Sequence, residues 1–144
     1  MVVKPIPDGF HRVTPYIVAQ GAARLIDFLK DAFGAAVVSR HDKPDGSVMH
    51  AQLKIGDSMI MLTEACDKAP SGLVSMYMYV EDSDAVYERA LKAGGTSIME
   101  MSTQFYGDRH GGVKDPSGNS WWVATHVEDV SDEEIARRAS SAKP

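Results

Sequence analysis

The sequence has little of what secreted, membrane-spanning or nucleic-acid-binding proteins require. Its 144 residues include one cysteine, Cys66, so no disulfide can form within the chain. No run of 18 apolar residues occurs, and Pro5 and Pro7 interrupt the start where a signal peptide would have its apolar segment. The net charge of -5 opposes binding to a phosphate backbone. We therefore expect a cytoplasmic protein that binds neither nucleic acid nor membrane.

Familiar catalytic motifs are also missing. There is no glycine-rich phosphate loop and no Cys-x-x-Cys pair. Residues 56–59 resemble the opening of a Gly-Asp-Ser hydrolase block, but they form a predicted β-turn and not a strand-to-helix elbow. Four histidines lack metal-type spacing to each other or to carboxylates: His11, His41, His110 and His126.

The sequence does contain an internal repeat. Residues 14–18 align with residues 75–79, so that Tyr16 falls on Tyr77. The same offset of 61 residues aligns a helical stretch and a hairpin, namely residues 22–33 with 83–94 and residues 54–61 with 115–122. Two copies of a unit that cannot bury its own apolar face pack together, and the seam between them is a natural place for a ligand cavity.

Each copy is predicted to run strand, helix, strand, strand, strand. The predicted strands are residues 11–18, 35–40, 48–55 and 58–63 in the first copy, and 73–80, 96–101, 111–114 and 120–125 in the second. The predicted helices are residues 22–33, a helix capped by Asp82 or Ser83 that runs to residue 93, and a short helix that opens at Ser131.

These elements predict one domain with two flanking segments. An extended arm (1–10) precedes the domain (11–128), in which unit one is 11–63 and unit two is 73–126. Residues 129–144 are expected to form a short helix and a flexible tail, with disorder from residue 139 onward.

A duplicated unit with these landmarks resembles the vicinal oxygen chelate superfamily of glyoxalase I, bleomycin resistance proteins and extradiol dioxygenases. The residues that carry the resemblance are 14–16, 22–28, 33–34, 55–62, 77–82, 104–109 and 115–121. The last two stretches look most like the PhnB-like branch. The resemblance implies an α+β fold in which two tandem βαβββ units form a cup-shaped, incompletely closed mixed β-barrel with helices outside. It also implies a homodimer.

The resemblance further implies where a cation would bind. In metal-dependent members, His, Glu or Gln side chains from the first and last strands of each unit bind it, and the matching positions here are Thr14, Met61, Ser75 and Trp122. A hard or borderline cation needs at least three anionic or imidazole donors, which hydroxyl, thioether and indole groups do not supply. We therefore expect no metal and no other cofactor.

The side chains at these positions and their neighbours are typical of a small-molecule pocket. The predicted ligand-binding residues are Thr14, Tyr16, His50, Gln52, Met59, Met61, Ser75, Tyr77, Tyr106, Arg109, Ser120 and Trp122. The same apolar strand faces are equally compatible with a cup that its own side chains fill.

Two of these residues have alternative interpretations. His50 could orient a ligand or carry a proton, or a neighbouring group could satisfy it. Arg109 could clamp a carboxylate or phosphate with two parallel hydrogen bonds, or pair with Asp108 or Asp115 to stiffen its loop.

Three functions are compatible with this sequence. The first is a metal-free protein that binds a small, flat or partly apolar ligand through aromatic stacking. The second is a divergent lyase, isomerase or dioxygenase with a relocated or metal-free site, using His50 with Glu64 or His110. The third is a closed cup that acts only through its dimer surface. The sequence favours the first, because the cation ligands and the carboxylate base of glyoxalase-type chemistry are missing at the matching positions.

Overall fold

The computed structural model describes residues 2–141 and contains the predicted duplicated unit. The first unit consists of β1 (Tyr16–Ala19), α1 (Ala22–Phe33), β2 (Ala36–Asp42), β3 (Val48–Ile55) and β4 (Ser58–Glu64). The second consists of β5 (Ser75–Tyr79), α2 (Ser83–Lys92), β6 (Thr96–Thr103), β7 (Asp108–Lys114) and β8 (Ser120–His126). A third helix, α3 (Asp132–Ser141), follows.

Each unit forms its own four-stranded mixed sheet. The strand orders are β1-β4-β3-β2 and β5-β8-β7-β6, with the first pair of each sheet parallel and the other pairs antiparallel. The strands of residues 2–141 do not close into a barrel. The predicted α+β fold with two βαβββ units is confirmed.

The ends of the helices follow from local sequence. Gly34 ends α1 in the left-handed conformation, at φ 68°, and donates its N–H to the carbonyl of Lys30. Asp82 caps α2, because its carboxylate accepts the N–H of Ala85 at 3.2 Å. Ser131 accepts the N–H of Glu134 at the start of α3, as the capping-box pattern predicts.

One hydrophobic core is shared by the two units. Leu25 and Leu29 of α1 are buried with the apolar side chains of the first sheet, and Ala90 and Val113 of the second unit belong to the same cluster. The ring of Phe33 in α1 lies 5.1 Å from that of Trp121 in β8. The helix-facing sides of both sheets are therefore buried together, and their opposite faces point away from the core.

The repeat is not a single offset throughout. Tyr16 pairs with Met61 and Tyr77 pairs with Trp122, which confirms 61 for these strands. However, Met61 also lies opposite Gln52, and Trp122 lies opposite Gly112. Gly112 follows Gln52 by 60 residues and not by 61. A single offset was therefore wrong for the inner strands.

The change of offset arises in the last turn of each unit. The β3–β4 turn is tight, because Ile55 pairs directly with Ser58. The β7–β8 turn carries one more residue between equivalent strand positions. The buried Asp115 holds it by accepting the N–H groups of Ser117 and Asn119 and the indole N–H of Trp121.

Several predicted boundaries were wrong. β1 begins at Tyr16 and not at residue 11, although the carbonyl of Pro15 still accepts the N–H of Met61. β7 begins at Asp108 and not at residue 111, so Arg109 lies in a strand and not in a loop. The helix α3 includes residues 139–141, which were expected to be disordered, while residues 142–144 lie outside the described part. None of the helices in residues 2–141 has the length and apolar character needed to cross a membrane.

Candidate functional site

The predicted ligand-binding residues fall into two sets on two sheets. On the outer face of the first sheet, Tyr16 and Gln52 flank Met61 in direct cross-strand register. On the outer face of the second sheet, Tyr77 lies opposite Trp122, and Ser75 lies opposite Ser120. The helices and the shared core separate these faces, so the chain does not gather its predicted site into one cup.

The N-terminal arm covers part of the first set. A cavity of about 470 Å³ lies between the arm and the sheet, and Thr14, Gln52 and Met61 line its sheet side. The arm side is lined by Pro5, Ile6, Pro7, Phe10, His11 and Arg12. Met59 is buried, and the ring of His50 lies 5.9 Å from that of Tyr16; none of these three residues lines the cavity.

The second face is organised around a buried carboxylate. Asp108 is 3% exposed. One of its oxygens, Oδ2, accepts the hydroxyls of Tyr77 at 2.9 Å and Tyr79 at 2.8 Å. The other, Oδ1, lies 2.8 Å from Nδ1 of His126, whose Nε2 lies 2.7 Å from the carboxylate of Asp129.

His110 links this carboxylate cluster to the aromatic residues. Its Nδ1 lies 3.0 Å from the hydroxyl of Tyr77 and 3.2 Å from that of Tyr106. Its ring centroid is 5.3 Å from that of Trp122. We name Tyr77, Tyr79, Tyr106, Asp108, His110, Trp122 and His126 the tyrosine–histidine cluster.

The charges of this cluster follow from its hydrogen bonds. Burial raises the pKa of Asp108, but the hydrogen bonds from His126, Tyr79 and Tyr77 outweigh it and leave the pKa below its usual value. Burial lowers the pKa of His110, against the attraction of Asp108. Burial and the nearby Tyr106 and Asp108 raise the pKa of Tyr77. At neutral pH the cluster therefore contains an anionic Asp108 beside a neutral His110.

The loop that carries Tyr106 is fixed by the C-terminal segment. Gly107 adopts φ 102°, and its carbonyl accepts the N–H groups of Val127 and Glu128. Arg138 of α3 donates to the carbonyl of Phe105 at 2.8 Å and to the carboxylate of Glu128. The third helix thus holds in place the loop that carries Tyr106.

Arg109 lies away from this cluster. Its guanidinium forms two hydrogen bonds, at 2.8 and 2.9 Å, with the carboxylate of Asp84 on α2. Because neighbouring strand residues point to opposite faces, Arg109 is turned towards the helix while Asp108 and His110 face outward. Its partner is Asp84, and not Asp108 or Asp115, the partners named in one of the two alternatives for this residue.

The suggested relocated site is likewise not assembled within the chain. The carboxylate of Glu64 accepts the N–H groups of Gly21 and Ala22 at 3.0 and 2.9 Å, so it caps the start of α1. His50 and His110 lie on different sheets.

Sequence reasoning missed Asp108, Tyr79 and the roles of His110 and His126. A signal was present in the repeat, because an offset of 60 pairs His50 with His110. The structure shows the same relation, since the Tyr77–His110 rings lie 5.7 Å apart, much as the Tyr16–His50 rings do.

A comparison with protein-family models shows to which family the chain belongs. The model described as the Glyoxalase/Bleomycin resistance protein/Dioxygenase superfamily matches residues 9–123. The chain belongs to this superfamily. The expected family is thereby confirmed.

A sequence relative and two solved structures resemble this chain. An uncharacterised Mycobacterium bovis protein is 35% identical over 140 residues, which cover 90% of this chain and 92% of that protein. The crystal structure of TioX from Micromonospora sp. ML1 has a TM-score of 0.68 at 21% identity, covering 82% of this chain and all of TioX. A PhnB protein from Bacillus cereus, described as a putative 3-demethylubiquinone-9 3-methyltransferase, has a TM-score of 0.65 at 19% identity, with 80% and 99% covered.

The cation positions of the superfamily do not fit a metal here. Met61 and Trp122 face Tyr16 and Tyr77 across their strand pairs, and Ser75 faces Ser120. Thioether, indole and hydroxyl groups are poor ligands for hard or borderline cations. Among residues 2–141, no group of three or more His, Cys, Asp or Glu side chains is arranged to hold a metal ion.

Proposed function

We propose that this chain is a PhnB-like, metal-independent member of its superfamily that binds a small aromatic or partly apolar molecule. The binding surface is the outer face of the second sheet. The observation that carries this proposal is the tyrosine–histidine cluster, in which the buried Asp108 accepts the hydroxyls of Tyr77 and Tyr79. Tyr77 and Tyr106 in turn contact His110, which lies beside Trp122. The structural likeness to the B. cereus PhnB protein supports the branch.

The aromatic residues of this face are accessible and held in place. Tyr77 is 43% exposed, and the half-buried Trp122 lies directly opposite it across the parallel strand pair. The hydroxyl of Tyr77 is fixed by Asp108, so little side-chain freedom remains to be lost on binding. Rigid aromatic side chains with satisfied polar ends suit stacking against a flat ligand.

A second copy of the chain would cover this binding surface. Large apolar side chains are exposed on the outer faces of both sheets, including Tyr16 at 49% and Tyr79 at 63%. A homodimer that sets the first sheet of one chain against the second sheet of its partner would cover both sets and enclose a ligand between them. The single exposed thiol, Cys66, is compatible with a cytoplasmic location.

Thermal unfolding with and without a panel of aromatic compounds tests the proposal. A compound at 100 times its dissociation constant stabilises the folded protein by about 2.7 kcal/mol. The substitution Trp122→Ala is expected to abolish that stabilisation, because it removes the stacking surface. Leu73→Ala serves as the control, since Leu73 is 71% exposed and lies before the first strand of unit two.

Two results would contradict this function. One is that no compound of the panel raises the unfolding temperature of the natural protein. The other is that the Trp122→Ala protein responds as strongly as the Leu73→Ala protein.

A further inference from the structure

The hydrogen bonds of Tyr77 determine which nitrogen of His110 carries the proton. A phenol has a single O–H, and an ionised carboxylate can only accept. The 2.9 Å contact between Tyr77 and Asp108 therefore uses the Tyr77 proton. The 3.0 Å contact between the Tyr77 oxygen and His110 Nδ1 must then be donated by an Nδ1–H group.

The opposite tautomer is less favourable at this site. If Nδ1 instead accepted the hydroxyl of Tyr106 at 3.2 Å, its lone pair would face the lone pairs of Tyr77 at the shorter distance of 3.0 Å. With Nδ1 protonated, both tyrosine oxygens can accept from it. A neutral His110 then carries an unshared electron pair on Nε2.

That nitrogen remains available to a ligand. His110 Nε2 has no hydrogen-bond partner among the described residues, whereas Nδ1 has two. In the same part of the chain, no fully buried side-chain nitrogen or oxygen lacks a partner, so Nε2 retains some solvent contact although His110 is only 8% exposed. The imidazole ring lies next to Trp122, where a stacked ligand would lie.

We propose that Nε2 of His110 accepts a hydrogen bond from the ligand, which is therefore a flat aromatic compound with a phenol, enol or N–H donor. This inference rests on the proposed function and specifies the ligand class of the same site. An imidazole nitrogen is a stronger acceptor than the phenol oxygens around it. The anionic Asp108 behind His110 disfavours ligands that present a carboxylate instead.

The tautomer can be measured directly. Long-range proton–nitrogen NMR of the uniformly nitrogen-15-labelled protein at neutral pH separates the two neutral tautomers and the imidazolium. We expect His110 to be neutral with its proton on Nδ1, and Tyr77→Phe to abolish this preference. A proton on Nε2, or on both nitrogens, would overturn the inference.

Binding of a matched pair of compounds tests the ligand class. The compounds 2-naphthol and 2-methoxynaphthalene share a ring system and differ in one O–H group. We expect calorimetry to show 2-naphthol binding about tenfold tighter, the value of one net hydrogen bond. In His110→Phe the two compounds should bind equally, whereas Leu73→Ala, a change outside the strands, should keep the difference.

The outcomes separate this inference from the proposed function. Equal affinity of the natural protein for both compounds would overturn the donor requirement while leaving aromatic binding intact. Failure of both compounds to bind would overturn both proposals. If His110→Phe does not fold, the NMR assignment of the natural protein still decides the tautomer.

Discussion

The buried carboxylate of Asp108 distinguishes the outer face of the second sheet from that of the first. At the repeat position of Asp108 the first unit has the buried Val48, and at the position of Tyr79 it has Val18. His50 therefore has Tyr16 beside it but no carboxylate at the repeat position, whereas His110 belongs to a connected network. The polar chemistry of the molecule has diverged between two copies of one backbone.

Replacing that carboxylate should be costly. Asp108→Asn removes the charge and places an N–H₂ group against hydroxyl and imidazole donors, so that at least one buried hydrogen bond is lost. We expect the free energy of unfolding to fall by about 1–3 kcal/mol, measured by urea denaturation. Asp129→Asn is the control, because Asp129 contacts the same histidine from a fully exposed position. Equal effects of the two substitutions would contradict this account.

The ion pair of His126 should make stability depend on pH. Hydrogen bonds to Asp108 and then to Asp129 raise the pKa of His126 above 6.5, so its contribution is complete below that value and is lost as the pH rises through the raised pKa. The stability difference between the natural protein and His126→Gln should thus be largest below pH 6.5 and shrink towards alkaline pH. Chemical denaturation across this range measures it, and a difference that grows with pH would exclude this role.

At the scale of elements, the third helix matters through the loop that it holds. Arg138 and Glu128 tie α3 to the segment that ends in Gly107, and Tyr106 of that segment reaches His110. The chain behind Gly107 leaves no room for a side chain, because a methyl group there would collide with the carbonyl of Glu128. The position of α3 therefore determines the position of Tyr106 in the site.

Gly107→Ala tests this connection. Gly46→Ala is its matched control, because Gly46 has a similar positive φ of 87° but no atom within 4 Å of the added methyl group. Both variants suffer backbone strain, and only the first adds a collision. We expect Gly107→Ala to lose about 1–3 kcal/mol more stability than the control, by urea denaturation. Similar losses in the two variants would show that the collision relaxes without cost.

The sequence predicts the elements well and the relation between strands less well. The spacing of Leu25 and Leu29 and the glycine that follows predict α1, because a helix displays its buried face in its own periodicity. The register of two paired strands depends on the number of residues in the turn between them. The turn near Asp115 has one residue more than its counterpart, so an offset of 61 does not align His50 with His110. Arg109 was misplaced because β7 begins three residues earlier than its glycines indicate.

At the scale of the whole molecule, the bulges show how closely the two backbones match. The register of β2 with β3 is interrupted between Val37 and Ser39, and that of β6 with β7 between Ser97 and Met99, 60 residues later. The extra residues at these bulges are Val38 and Ile98, which are 56% and 40% exposed. Both units thus expose an apolar bulge on an edge strand.

A charge at such a bulge should weaken the proposed dimer. Because a partner chain would cover this apolar surface, Val38→Glu is expected to raise the dimer dissociation constant at least about tenfold. Analytical ultracentrifugation measures it, and circular dichroism confirms that the fold is kept. Leu73→Glu, which charges an exposed apolar residue outside the strands, should leave the constant unchanged. A natural protein that sediments as a monomer would refute the dimer.

The common core of the two units leaves the outer faces of both sheets free to change during evolution. Its helices and inward strand residues carry most of the buried apolar surface, while the outward residues of both sheets contribute little to it. Replacements on either outer face therefore reduce the free energy of unfolding only slightly, except at a buried residue such as Asp108. A scaffold of this kind can acquire new molecular preferences one surface at a time, with the other surface left as it was.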